Sequence, residues 1–496
     1  MIHAYSLGRA RRFFPNQLAI RGGEVRSTFR DLHERVQRTV AALTGRGLGP
    51  GDRLAILLPN EREYLELVYA CAWLGVIAVP LNTRLAPVEI DRILGDANPR
   101  GLIRHSSLPT GSAGLPWQIA LDEEPLNLGD GAVPEPIYDP DAVLTLIYTS
   151  GTTGHPKGVA QTHANILANI EHWNYWMPHK KDAVHLHAAP LFHIADFPVM
   201  FAAPAFGGCQ VTIPKFSAQH FCEAVESERV THTVLVPAML NLLTEFAPLK
   251  DYDLTSLEEV AYGGSPMAPE LIRRTRVSLP GLRLVQGYGL SETGFLTALQ
   301  DEEHSGRTIA SCGRPSPGID VQVVDASGKQ VCAGETGELV ARGANVMRGY
   351  WNNAAASAAA FRDGFLHTGD IGYQDGDGYF YVLDRAKDMI VTGGENVYSG
   401  EVEAVIYEHP SVREAAVFGI PDEKWGEIVM AEIVLKPGKT LTADGLIAHC
   451  RRSLANYKIP RRVEFSSIEL PKSASGKILK RALRERFWVH EDRSVG

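Results

Sequence analysis

No apolar run in this chain of 496 residues is long enough to cross a bilayer. The longest, Val68–Leu81 (VYACAWLGVIAVPL), has 14 residues, where a spanning helix needs about 18 or more. The N-terminus carries Arg9, Arg11 and Arg12 without an apolar stretch behind them, so no secretory signal is expected and a soluble, cytoplasmic protein is. Cysteine is sparse and scattered: Cys71, Cys209, Cys222, Cys312, Cys332 and Cys450 form no CxxC pair and have no histidine at zinc-finger spacing. Reduced, mostly buried thiols are expected instead of a disulfide framework or a zinc site. Positive charge is short as well. Lys+Arg total 49 against 58 Asp+Glu, a net −9, the wrong sign for displacing counterions from nucleic acid. Disorder is excluded by a hydrophobic content of 45% with only 22% charged residues.

What is present reads as several cores, because a length far beyond about 250 residues splits into domains. Thr28–Gly45 places Leu32, Val36, Val40 and Leu43 at helical spacing behind a Thr28 cap. Arg53–Leu58 is a buried strand, Glu61–Leu74 a second helix and Val76–Val79 a second strand. The alternation recurs at Ala183–Ala188, Val211–Ile213 and Thr233–Val236, which predicts parallel sheets covered by helices. From about Gly318 the segments VQVVD, GELVAR and YFYVLD are short, Gly-bounded and alternate with period two, as in a β-rich subdomain. After Asp388 comes an α+β module with strands in AAVFGI, MAEIVL and VEFSSIEL and helices over Gly400–His409 and Leu441–Leu454. Ala354–Ala360, the only low-complexity stretch, is expected to be a helix.

The most informative stretch is Leu146–Val159, LIYTSGTTGHPKGV. Hydroxyls of Thr149, Ser150, Thr152 and Thr153 are packed between Gly151, Gly154 and Gly158, and Lys157 closes the run. Glycine admits a close anion, hydroxyls add donors and lysine adds a mobile charge, a combination suited to several phosphate oxygens. It is not a Walker loop, since Lys157 is followed by glycine and GVAQ reads as a strand ahead of a helix near His163.

This segment resembles the signature of the AMP-forming adenylate superfamily, which holds acyl-CoA synthetases, luciferases and peptide-synthetase adenylation domains. QGYGLSET (Gln286–Thr293), HTGD (His367–Asp370), DRAKDMIVTGGENVYSGEVE (Asp384–Glu403) and PKSASGKILKR (Pro471–Arg481) resemble further family motifs in the expected order. Nearly the whole chain is covered, and the likeness is greatest to bacterial acyl-CoA synthetases of the fatty-acyl and feruloyl type. The resemblance implies an α/β fold. Its large N-terminal domain (1–384) has two α/β sheet subdomains and a β-rich barrel-like subdomain; a hinge (385–388) leads to a small mobile α+β C-terminal domain (389–496).

It also implies residue roles. Lys477 aligns with the catalytic lysine that bridges carboxylate and α-phosphate during adenylation. Glu292, with the Thr149 hydroxyl, aligns with the Mg²⁺ ligands, a hard-oxygen set that suits this ion. Thr149, Ser150, Gly151, Thr152, Thr153, Gly154 and Lys157 would hold the phosphates. Gly263, Gly264 and Ser265 would pass along the purine, Tyr288 would stack on it, and Gln286, Gly287, Gly289 and Ser291 complete that motif. Asp370 would accept the ribose hydroxyls with Arg385 beside it. Lys387 occupies the hinge position about which the small domain rotates between half-reactions. Gly393, Gly394 and Glu395 would line the CoA path. His193, in PLFHIADF, would gate the carboxylate pocket; Asp196 either orients His193 or faces solvent, and both readings stand open.

The substrates so implied are ATP, coenzyme A and a small-molecule carboxylic acid. LFHIADF lacks the amino-acid-binding FDxS pattern, and the apolar run Phe197–Phe206 suggests a fatty or aromatic acid. Free CoA is favoured because no carrier-protein domain follows Lys477 before Gly496; loading of an acyl carrier protein is the alternative. A nucleotide-binding sensor without turnover would normally lack Lys477 or Glu292. A homodimer is compatible with the sequence; no nucleic-acid partner and no transmembrane segment are expected.

Overall fold

The computed structural model describes residues 1–111, 114–124, 126, 131–149, 156–265, 267–472 and 478–488. The expected site residues Ser150, Gly151, Thr152, Thr153, Gly154 and Lys477 lie outside these. Local sequence sets the elements much as their periods predict. Thr28 caps helix Phe29–Gly45: its Oγ accepts from Asp31 N at 3.2 Å while Asp31 Oδ2 accepts from Thr28 N at 2.9 Å, a reciprocal box that satisfies two otherwise unpaired donors. Leu32, Val36, Val40 and Leu43 form its buried face. The 14-residue apolar run is broken in two. Helix Arg62–Leu74 ends at Gly75, whose φ of 70° takes the left-handed cap, and strand Ile77–Pro80 follows.

Two large sheets face one another across a shared core. Among the described residues one has seven strands in the order Gly349–Tyr350, Lys157–Thr162, Val143–Thr149, Ile77–Pro80, Arg53–Leu57, Gly101–Arg104, Gln118–Ala120. It is parallel from Val143–Thr149 onward and antiparallel across the first two pairings. The other runs Arg314–Pro315, Gly294–Leu299, Arg283–Leu290, Glu259–Gly263, His232–Leu235, Val184–His187, Cys209–Thr212, Leu18–Gly22, Val25–Thr28, and is parallel through its middle. Leu54 and Ile56 from the first sheet and Val234, Ala261 and Val285 from the second enter the same apolar cluster, with helix Arg62–Leu74 between them. The alternate residues Ala55 and Leu57 face a second cluster with helix Pro87–Ala97.

A five-stranded antiparallel sheet built from Asp320–Val324, Gly337–Arg342, Phe361–Arg362, Phe365–Gln374 and Phe380–Arg385 carries the β-rich stretch, and residues from Ile390 onward build a separate five-stranded sheet. Helices Ser399–Tyr407 and Ala443–Cys450 pack on one of its faces and Lys480–Arg484 on the other. Among the described residues no helix is long and apolar enough to cross a membrane.

Burial leaves several histidines unable to take a proton. It pushes His3 and His163 down to about 3, and His193 and His232 down to about 4. In the unfolded chain these rings protonate near 6.5, so stability is complete above that pH and falls as pH drops below it. Each ring costs roughly 2 kcal/mol by about pH 4.5. Glu61 and Glu259, raised to about 7 by burial first of all, act oppositely, losing stability as pH rises from about 4.5 to 7. The histidines outnumber them, and the urea midpoint is expected to fall steadily from pH 6.5 to 4.5. A midpoint flat across that interval would contradict these assignments.

Candidate functional site

The site forms where the carboxyl ends of parallel strands from the two sheets meet, the usual place for a ligand in an open α/β sheet. Glu259–Gly263 and Arg283–Leu290 lie side by side with Gly263 opposite Gly287. A Cβ on Gly263 would stand 2.2 Å from the Gly287 carbonyl oxygen, so glycine there is a packing requirement as well as a route for a close ligand. Gly264 and Ser265 continue past this strand end, and Gln286 accepts from the Tyr262 hydroxyl at 3.3 Å. From the other sheet, Val143–Thr149 delivers Thr149 at its carboxyl end, paired with Lys157 on the returning strand.

Tyr288 and Asp370 are joined directly. The Tyr288 hydroxyl donates to Asp370 Oδ2 at 2.7 Å, and Arg385 Nε lies 2.5 Å from Oδ1. Burial, then the Asp370 charge, pushes the Tyr288 phenol well above its usual range, so it remains a donor. Asp370 is itself 3% exposed. Its strand, Phe365–Gln374, is fixed beside it by Glu338, which accepts from Gly369 N at 3.0 Å and contacts His367 Nδ1 at 2.8 Å.

Ser291 and Glu292 occupy the turn between Arg283–Leu290 and Gly294–Leu299. Gln161 reaches across from the other sheet to donate to the Ser291 carbonyl at 2.8 Å, and Thr293 Oγ1 accepts from Leu290 N at 3.0 Å. The Glu292 carboxylate and the Thr149 hydroxyl are a hard-oxygen set of the kind magnesium takes alongside phosphate and water oxygens, and the residues therefore fit this ion.

His193 sits in the turn after strand Val184–His187, with its ring 5.1 Å from that of Phe192. Burial, then the Arg84 charge, pushes its imidazole down to about 4, and Nε2 has no partner among the described residues. The neutral ring carries no charge at neutral pH, and its unpartnered Nε2 is left to donate or to accept one hydrogen bond, according to the tautomer.

Asp196 takes neither of its expected roles. It is 0% exposed, so it does not face solvent, and its carboxylate meets His185 Nε2 at 3.3 Å and His187 Nδ1 at 3.1 Å instead of His193. The side chain is pulled inward because both histidines lie on the same face of the buried strand below it. Gln210 meets His187 Nε2 at 3.0 Å on the far side. The three side chains present ligand atoms within 4.8 Å of one another, a spacing a cation could also use; their hydrogen bonds account for the grouping by themselves. Asn60, 6% exposed, fixes the same turn from the first sheet, donating to the His187 and Ala189 carbonyls and accepting from Leu191 N.

The apolar run after Phe197 forms helix Val199–Ala205, every residue of which is buried. Its Met200 and Phe201 carbonyls accept from Tyr69 and Ser6, so its character reflects core packing and says little about the acid. Gly393, Gly394 and Glu395 are exposed on a hairpin whose bonds run to its own sheet, Gly393 N donating to the Trp425 carbonyl at 2.8 Å. Lys387 lies in the turn Arg385–Asp388, where Arg484 donates to its carbonyl at 3.3 Å. Tyr350, Gln161 and Asn60 were missed in the sequence, where only an aromatic after Gly349 and isolated amides were visible.

Profiles of the AMP-binding enzymes match residues 8–351, and of their C-terminal domain residues 401–477. A feruloyl-CoA synthase from Amycolatopsis sp. is 40% identical over 97% of this chain and 98% of its own. A long-chain-fatty-acid–CoA ligase from Mycobacterium tuberculosis is 36% identical over 94% of each. Among solved structures, the o-succinylbenzoate CoA synthetase of Bacillus subtilis in complex with its acyl-adenylate superposes with a TM-score of 0.87 at 34% identity, covering 96% of this chain and 97% of that one.

Proposed function

The chain belongs to the AMP-binding enzymes and is an ATP-dependent acyl-CoA synthetase working through an acyl-adenylate, and on that premise we propose that it activates a hydrophobic acid, aromatic before aliphatic, and transfers it to free CoA. The reaction is acid + ATP + CoA → acyl-CoA + AMP + PPi. Two of the three relatives described act, by name, on aromatic acids, which supports the order of preference.

The observation that carries the assignment of roles is the Asp370 carboxylate, held by Tyr288 and Arg385 beside the strand ends of Gly263 and Gly287. A carboxylate held between two donors accepts a pair of ribose hydroxyls, and the neighbouring glycine backbone accommodates a flat base. An anionic acid attacking an anionic α-phosphate is repelled by about 4 kcal/mol at 4 Å with an effective dielectric near 20. Lys157 and Lys477 supply the opposing charge, Lys477 at the reacting oxygens. Glu292 and Thr149 would hold magnesium, whose chemistry when bound is to neutralise the triphosphate and the departing pyrophosphate. Neutral His193 closes the acyl pocket over the carboxylate. Rotation about Lys387 then withdraws Lys477 and brings the Gly393–Glu395 hairpin to the acyl-adenylate, opening the thiol path. The six cysteines, free of disulfides among the described residues, suit the reducing cytoplasm where we place the protein.

Pyrophosphate release is measured over short, medium, long and aromatic acids, with and without CoA. Fastest release with an aromatic acid, and sustained turnover only when CoA is present, is the expected outcome. Formation of ADP, or faster transfer to an acyl carrier protein than to CoA, would overturn the reading.

A further inference from the structure

Glu292 and Lys157 come from different sheets, and one side chain touches both. Tyr350 lies on the two-residue strand Gly349–Tyr350, which pairs with the strand that Lys157 begins, Tyr350 opposite Val159 and Gly349 opposite Ala160. Its hydroxyl donates to Glu292 Oε1 at 2.8 Å, and the Lys157 ammonium stands 4.9 Å from its ring centroid. The same segment grips both neighbours through its backbone. Met347 N donates to the Glu292 carbonyl at 2.7 Å, and Arg348 N and Trp351 N donate to Ala160 and Gly158 at 3.0 and 2.7 Å. Glu292 is thus held at main chain and side chain by one stretch of five residues, and that stretch is zipped to the strand leaving the phosphate loop.

We infer that Tyr350 is a positioning residue for the metal–nucleotide complex: it fixes one oxygen of Glu292 so that the other is presented to the cation, and it seats Lys157 on the same side. The inference rests on the reading of Glu292 as the magnesium ligand. A carboxylate that binds a cation needs its orientation fixed from behind, and a hydrogen bond to the non-ligating oxygen does this. An aromatic face under an ammonium limits where a flexible lysine can go. Joining the two functions in one side chain sets the spacing between cation and lysine, which neither sheet sets alone.

The test separates hydroxyl from ring. ATP affinity is measured calorimetrically for the full chain with excess Mg²⁺ and again in EDTA, and the unfolding midpoint is recorded without nucleotide. Tyr350→Phe keeps the ring and is expected to reduce the Mg²⁺-dependent gain in ATP affinity by roughly 10- to 100-fold, the usual loss when an outer partner of a metal ligand is removed. Affinity in EDTA and the unfolding midpoint should stay as in the wild type. Tyr350→Leu is expected to lose affinity in EDTA as well, because Lys157 loses its seat. Equal loss in Mg²⁺ and in EDTA for Tyr350→Phe, or a lower midpoint with unchanged affinities, would overturn the inference. Glu292→Gln distinguishes the two levels. If it abolishes the Mg²⁺ gain while Tyr350→Phe does not, the metal ligand stands and the role of Tyr350 falls. If it leaves the gain intact, both fall.

Discussion

Lys477→Ala is expected to lower acyl-adenylate formation by roughly 10²- to 10³-fold, the loss typical of one transition-state donor. The charge it supplies opposes a repulsion of about 4 kcal/mol between acid and α-phosphate, and no other residue of the aligned SGK segment is cationic. The described residues on either side show how that segment is carried. Lys472 and Ile478 form an antiparallel bridge, and Leu479 N donates to the Pro471 carbonyl at 2.8 Å. Lys480 is anchored on Glu403 at 2.8 Å and on the Ser399 hydroxyl, while Ser399 N and Oγ both donate to Asp384 Oδ2 at 2.6 Å. Leu470, Lys472 and Lys480 are tied to Glu414 and Glu403 of the C-terminal module, and on the proposed rotation at Lys387 Lys477 would move with them. Thioester formation from presynthesised acyl-AMP should accordingly be largely spared. Pre-steady-state measurement of the two half-reactions checks this, and equal losses in both would refute the domain-rotation account.

Asp196→Asn is expected to destabilise the fold by about 3 kcal/mol, because breaking a fully buried ion pair leaves its partner uncompensated. Burial by itself would push the His187 imidazolium down, but the Asp196 charge together with the hydrogen bonds to Asp196 and Gln210 outweighs it and the pKa is raised. Burial would likewise raise the Asp196 carboxyl, and the His187 charge with the two histidine hydrogen bonds holds it below its ordinary value. The pair's contribution is complete between the ordinary aspartate and histidine values, about 3.9 and 6.5, and is lost as pH rises from there through the raised His187 value and as it falls through the lowered Asp196 value. In the variant the buried ring must give up its proton, or keep it without a counter-charge. The double variant Asp196→Asn with His187→Gln should be less destabilised than the sum of the single changes. Additive losses in urea unfolding would mean that no ion pair exists. The turn that Asp196 holds also carries His193, so the KM for the acid should rise several-fold while that for ATP stays the same, a split that general destabilisation would not produce.

The elements whose identity depends on neighbours in the chain were legible in the sequence. Helix Phe29–Gly45 follows from its Thr28 cap and its apolar spacing, and the strand at Lys157–Thr162 from a glycine and short apolar alternation ahead of a helix start at His163. The apolar run at Phe197–Phe206 is ambiguous by itself: a helix packed against Tyr69 reads the same in sequence as one lining a hydrophobic pocket. Asp196 was ambiguous because helical spacing points it toward His193, whereas the partners that capture it, His185 and His187, are set by a strand buried below the turn.

By itself the sequence determined the reaction class, through five ordered motifs that resemble those of the AMP-forming adenylate superfamily, and it pointed to Glu292, Asp370 and Lys477 as candidates without coordinates. Only the tertiary structure decided that the Tyr288 hydroxyl reaches the Asp370 carboxylate, and that Tyr350 spans Glu292 and Lys157. Tyr288 and Asp370 are 82 residues apart and Tyr350 and Glu292 58, in elements of different sheets, and no local period or motif encodes their meeting.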